Sequence, residues 1–517
     1  MLLGSLTDCY HSLHAPQALG LLINGVRHAT SGSEVSLWLR TGMREGLAGP
    51  KLVSAALDRL KDLQQRRPGK QQGGTGSTRG RKEAEPSLMA ACELAMQQGI
   101  ACLQQADLWL LVSMARTSYW LYYTVPSAQQ AAITEAFLRL LAASEISSRQ
   151  QGASVKVESP VQAQPALATE HHGSEDSSGA SIVNGGSSSS KSRSNGSISS
   201  NKNSSSNGSV SRSSACSSSS RQGEAEQFIW ATFSCANWHM TSAQRTALLH
   251  HVQRHPSDSP QHASNLLVAL VRLESFEGPA AVAPFLVDGT LAGIIDRLMV
   301  HVGEMDAQQC QNSLLSIATL SYPLKPGQLA VLLEHLLAVI QASTRPADVI
   351  AKTFKGLALL HHANPGGYNR LLQLPAVRGL SEHFLGLAED PAHRGEWLGE
   401  FDCMLRACAE MRYNPQVGEG GQRLLDVMLS QLPELAPQLS PFDATHALLG
   451  VGAYYGVPVR GELAQPLLPH RDHLAGMALR AQEKLPMFVA KGKNTWDVCT
   501  EQHVKDVVGA FAALSKE

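Results

Sequence analysis

The sequence predicts an all-α protein, an α-solenoid of stacked two-helix repeats interrupted by a long disordered Ser-rich segment. Three observations predict it. Apolar residues recur at helical spacing along most of the chain, while aromatics make up only 5% and strand-like alternation is scarce. One helix signature occurs twice, at Gln261 to Leu273 (QHASNLLVALVRL) and at Gln308 to Leu320 (QQCQNSLLSIATL). Looser forms of its second half return at intervals of 37 to 59 residues, the range of two-helix repeats.

The two best copies align position by position. Ala263 matches Cys310, Leu267 matches Leu314, Leu270 matches Ile317 and Leu273 matches Leu320, which is one apolar face of a helix. Gln261, Asn265 and Arg272 fall on the opposite face, as do Gln308, Asn312 and Thr319. Phe233, Leu270, Ile317, Leu357, Cys408, Gly452 and Phe511 are the successive anchors of the pattern. Intervals between anchors supply second helices, expected at Ser242 to Arg254, Leu291 to Val302, Gln328 to Ile340 and Gln422 to Leu435. Neither helix of a pair can bury its stripe alone, so the repeats must stack.

In chain order, residues 1–64 read as an N-terminal helical region with stripes at Leu19, Leu22, Ile23 and Val26, at Val35, Leu39 and Met43, and at Leu57, Leu60 and Leu63. Residues 65–86 are a basic Gly/Pro linker that breaks the pattern. Residues 87–146 return to helices, and Trp109, Tyr119, Trp120, Tyr122 and Tyr123 make a dense aromatic cluster there. Core packing is the expected role of that cluster, and base stacking the alternative. Residues 147–225 are Ser/Asn/Gly-rich, too poor in apolar residues to fold, and are expected to be disordered. Residues 226–517 carry the helical-repeat solenoid.

Composition narrows the function. A formal net charge of −1 lacks the basic excess common in nucleic-acid binders. Apolar stretches are too short for a membrane span. Nine cysteines form no C-x-x-C, and those on apolar stripes, such as Cys310 and Cys408, read as buried thiols in a reducing compartment. The N-terminus carries no clear transit peptide. No phosphate loop, nucleophile elbow or H-E-x-x-H occurs, so no catalytic residue, metal or cofactor is expected. His250–His251 and His361–His362 are adjacent on predicted helices and diverge too far to chelate. Glu400, Asp402, Ser440, Asp443 and Asp258 read as helix-start or turn residues.

The pattern Q-x-A-x-N-x-L-x-x-L-V-x-L resembles the octotricopeptide repeats of green algae and the related helical region of FAST-kinase-like proteins. The likeness covers roughly residues 226–517, with fainter echoes at 15–28 and 105–118; no RAP domain follows the repeats. The resemblance implies binding of single-stranded organellar RNA, in chloroplast or mitochondrial RNA processing, stability or translation. Gln261, Asn265, Arg272, Gln308 and Asn312 are then the candidates for base edges, and Arg245, Lys352, Lys355 and Arg406 for phosphates. A HEAT- or armadillo-like protein-binding scaffold is the alternative, which the neutral charge favours.

Overall fold

The computed structural model describes residues 15–65, 85–154, 218–256, 258–417, 421–459, 461–491 and 500–516. Most of the expected linker and of the Ser-rich stretch lies outside the described residues. Residues 1–143 and 217–517 group into one compact unit, and residues 144–216 into a second.

The described residues are overwhelmingly helical. The first unit opens with α1 (Ala15–His28), α2 (Gly32–Arg44), α3 (Pro50–Gln65), α4 (Pro86–Ala101), α5 (Leu108–Leu121) and the start of α6 (Ser127–Ser154). It resumes with α7 (Ser218–Phe233), α8 (Ser242–Arg254), α9 (Pro260–Glu277), the short α10 (Ala283–Val287), α11 (Thr290–Val300), α12 (Ala307–Thr319), α13 (Pro326–Val339) and α14 (Pro346–Ala363). The remainder is α15 (Pro365–Tyr368), α16 (Pro375–Gly386), α17 (Arg394–Glu410), α18 (Leu424–Ser430), α19 (Leu432–Leu435), α20 (Pro441–Tyr455), α21 (Arg471–Lys491) and α22 (Glu501–Ala513).

These helices form an α-solenoid. α3, α5, α7, α9, α12, α14, α17 and α20 pack in succession, each against the helix before and the helix after. α21 and α22 extend this row by packing on α20 and on each other. Second helices lie beside the row: α8 against α7, α11 against α9, α13 against α12, α16 against α14 and α18 against α17. The anchors Phe233, Leu270, Ile317, Leu357, Cys408, Gly452 and Phe511 are all buried, as the repeat pattern requires. Cys310 and Cys408 are buried free thiols.

Three row helices end in the same way, and the reason is local. After α5, α12 and α17 the chain enters the left-handed region at Tyr122 (φ 54°), Ser321 (φ 53°) and Arg412 (φ 53°). The next residue is a tyrosine each time. Tyr123, Tyr322 and Tyr413 donate their backbone N–H to the carbonyls of Ser118, Ile317 and Cys408 at 3.0, 3.1 and 2.8 Å. This six-to-one bond satisfies a carbonyl that the helix end would leave open. A proline follows within three residues (Pro126, Pro323, Pro415) and prevents the helix from continuing.

Two expectations need correction. The helix expected over Gln422 to Leu435 begins at Leu424 and breaks between Ser430 and Leu432, because Pro433 has no N–H to carry the first helix onward. Gln422 instead pairs with Val417 in a two-residue hairpin. Met43 is exposed, whereas Val35 and Leu39 are buried.

Candidate nucleic-acid interface

The polar stripe begins where α9 and α12 begin. α12 starts at a capping box: the Asp306 side chain accepts from the Gln309 N–H at 2.7 Å, and the Gln309 amide accepts from the Asp306 N–H at 3.3 Å. This fixes the rotation of the first turn, so Gln308 and Asn312 face outward one turn apart. The Gln308 amide donates to the Asn312 side-chain oxygen at 3.1 Å. α9 repeats the device, with Gln261 donating to Asn265 at 3.0 Å. Gln309 joins the two rungs by donating to Gln261 at 2.7 Å. Gln261 and Gln308 are exposed, and Asn265 and Asn312 are half-buried. Four of the expected base-reading residues thus come together as two equivalent rungs on neighbouring row helices.

Arg272 is placed differently. Its guanidinium donates to the Tyr119 hydroxyl and lies 5.1 Å from the Tyr119 ring centroid. Tyr119 in turn meets Trp230 edge to face at 4.9 Å, and Trp120 lies 6.1 Å from the same indole. Core packing was the expected role of these aromatics. Tyr123 does pack against the core, Tyr119 and Trp120 are half-buried against Trp230, and Trp109 and Tyr122 are exposed, Tyr122 to 54%.

The expected phosphate contacts are engaged within the protein. Arg245 pairs with Glu277. Lys352 pairs with Asp348 at 2.6 Å. Lys355 is half-buried, and burial holds its pKa below the usual lysine range. Arg406 is only 1% exposed; it donates to Glu410 at 2.7 Å and to Nδ1 of His446 at 2.8 Å. A solvent-borne phosphate does not reach Arg406, which corrects its expected role. Burial, with Arg406 second, keeps His446 well below the ordinary histidine value and therefore neutral.

These last residues belong to an ionisable ridge that crosses α14, α17 and α20. Asp348, Lys352 and Lys355 stand at helical spacing on α14, and Glu396, Glu400, Cys403 and Glu410 on α17. Glu396 accepts from the Asp348 N–H at 3.0 Å, so α17 closes the open first turn of α14. Burial first, and then the Asp348 carboxylate, push Glu400 up to about 8. Glu400 therefore holds a proton at neutral pH and donates it to Asp348. The Lys352 ammonium beside it keeps Asp348 ionised and below the usual range despite its burial. Asp402 is buried, and burial, with Asp443 second, raises it well above the carboxylate range.

Glu400 and Asp402 thus sit inside α17 and not at its start, contrary to the expected capping role. Ser440 does cap α20, accepting from the Asp443 N–H at 3.3 Å. The paired histidines have separate partners: His361 faces Asn369 at 3.0 Å, and His362 faces Glu410 at 3.1 Å. Gly450 lets α17 and α20 approach, since a Cβ there would lie 2.8 Å from the Arg406 Cα.

Sequence reasoning missed Trp230, the Tyr-Pro helix ends and the ridge. The spacing of 348, 352 and 355 against 396, 400 and 403 would have pointed to the ridge. No family model matches the chain, and no curated protein does.

Proposed function

We propose that this chain is an RNA-binding helical-repeat protein acting in chloroplast or mitochondrial RNA processing, stability or translation. Single-stranded RNA lies along the row helices with base edges against the amide rungs. The repetition of one rung, Gln261–Asn265 and Gln308–Asn312, on two adjacent row helices supports the reading. An amide offers a donor and an acceptor together, which is what a base edge requires. The half-exposed Tyr119, Trp120 and Trp230 offer ring faces on the same row.

The test is RNA affinity at fixed salt beside a denaturation curve for each variant. Asn265→Ala and Asn312→Ala change stability by less than about 0.5 kcal/mol and weaken RNA binding by roughly 1–3 kcal/mol each. Leu270→Ala does the reverse, costing about 2–5 kcal/mol of stability. Unchanged affinity in both Asn variants, for every organellar RNA tested, refutes the assignment of the rungs.

One observation favours a second reading, a protein-binding scaffold with no nucleic-acid activity. Arg245, Lys352 and Arg406 all have acidic partners within the chain. A parent protein that shows no salt-dependent binding to RNA supports the scaffold.

A further inference from the structure

Away from the rungs, a cavity of about 390 Å³ opens between α1, α3 and the start of α5. That volume lies within the roughly 300–1,000 Å³ typical of small-molecule sites. Its α3 wall is one helical stripe, running from Lys51 past Asp58 and Arg59 to Asp62; Arg27 comes from α1, Trp109 from α5, and Asp107 from the cap of α5, where its carboxylate accepts from the Leu110 N–H at 2.8 Å. The charges of this wall are unequally satisfied. Asp58 accepts from the Ser113 hydroxyl at 3.3 Å and from the Trp109 side chain, with Arg116 and Lys61 nearby. Asp62 lies 4.0 Å from the Lys61 ammonium.

Among the described residues, Arg27 and Lys51 have no acidic partner within 4.0 Å. Both are exposed. Arg59 spends its Nε–H on the Ala29 carbonyl at 2.7 Å, which fixes the guanidinium and leaves its remaining N–H groups for a ligand. Trp109, 38% exposed, supplies a flat apolar surface at the same cavity. Arg116 lies over that ring, 5.9 Å from its centroid. Exposed cations without an ion pair beside a presented indole suit a ligand that is an anion at one end and a flat ring at the other, while the carboxylates of Asp58 and Asp107 are already engaged by protein N–H and O–H groups.

We propose that this cavity binds a nucleoside monophosphate, free or as the phosphorylated end of an RNA strand. Arg27, Lys51 and Arg59 take the phosphate, and the base stacks on Trp109. These residues are distinct from the amide rungs, so the two assignments fail separately.

The experiment is calorimetric titration of the full chain with the common ribonucleoside 5′-monophosphates, with ribose 5-phosphate and with inorganic phosphate. A short RNA carrying a 5′-phosphate and its 5′-hydroxyl twin complete the set. Arg27→Gln, Lys51→Gln and Trp109→Leu are the variants, each checked for an unchanged melting temperature.

At least one nucleotide or the phosphorylated RNA binds the parent, and each variant weakens it about tenfold or more, as expected for a lost stacking or charged contact. Ribose 5-phosphate and inorganic phosphate bind at least about tenfold more weakly than the nucleotide. Preference for the phosphorylated RNA, lost in Lys51→Gln, assigns the site to an RNA end; a free nucleotide that binds without such a preference assigns it to the mononucleotide. Asn265→Ala leaves the nucleotide affinity intact. The proposal is overturned if neither nucleotides nor the phosphorylated end bind. It is also overturned if Trp109→Leu binds like the parent, or if inorganic phosphate binds as tightly as the nucleotide.

Discussion

Glu400→Gln tests the ridge through its dependence on pH. Glu400 has an ordinary value of 4.5 and is held up to about 8, by burial first and by Asp348 second. A carboxyl raised on folding stabilises the fold in its protonated form. Its contribution is full below about pH 4.5 and declines as pH rises toward about 8. The shift is roughly three units, and at about 1.4 kcal/mol per unit the full decline is on the order of 4–5 kcal/mol, an upper bound for a group with an adjacent ammonium. About 3 kcal/mol of that decline has accrued by pH 7. Gln keeps a donor for Asp348 but cannot ionise.

The variant therefore matches the parent near pH 5 and exceeds it by up to about 3 kcal/mol at pH 7. Asp348, whose pKa is lowered, acts in the opposite direction and in a different window: its contribution is lost only as pH falls below its ordinary 3.8. Urea unfolding of both proteins from about pH 5 to pH 8 measures the difference. Parallel curves over that range would show that Glu400 is ionised in the folded protein and refute its raised pKa.

Other changes probe single contacts. Arg406→Met takes from the largely buried Glu410 its guanidinium partner, leaving His362 opposite it, and costs about 3–5 kcal/mol in urea unfolding; a neutral result removes Arg406 from the list of stabilising groups. Gly450→Ala drives a Cβ to within 2.8 Å of the Arg406 Cα and costs about 1–3 kcal/mol, read as a lowered melting temperature. Arg412→Gly relieves a left-handed residue at the end of α17 and raises stability by up to about 1 kcal/mol. A loss of stability there would mean that the Arg412 side chain matters more than its backbone.

The solenoid was legible because each anchor is buried between row helices, so its apolar character is fixed by two sides at once. Leu270, Ile317 and Leu357 could hardly be polar. The helix ends were harder to read. Their left-handed positions are held by Tyr122, Ser321 and Arg412, where glycine is the usual marker, and only the following tyrosine and proline repeat. Roles of charged residues were the least legible. Lys352 finds its partner four residues away, but Arg245 meets Glu277 and Arg406 meets His446 across helices. A single chain written in line does not reveal which side chains stand opposite each other in a row. The aromatic cluster was half visible for the same reason: Trp230 joins it from α7, more than a hundred residues after Tyr119.

That cluster marks an unusual joint. Most neighbours in the row are close in sequence, but α5 and α7 meet although residues 122–217 intervene. Tyr119 and Trp120 arrive from one side of the gap, and Trp230 and Arg272 from the other. The array is therefore two arms riveted by aromatic and cation–π contacts, to which Phe137 of α6 adds a ring stacked on Phe228 of α7 at 3.9 Å. The joint rests on side chains brought from both sides of the gap and, in Phe137, from within it, and its strength is written in those residues and not in the closeness of its helices along the chain.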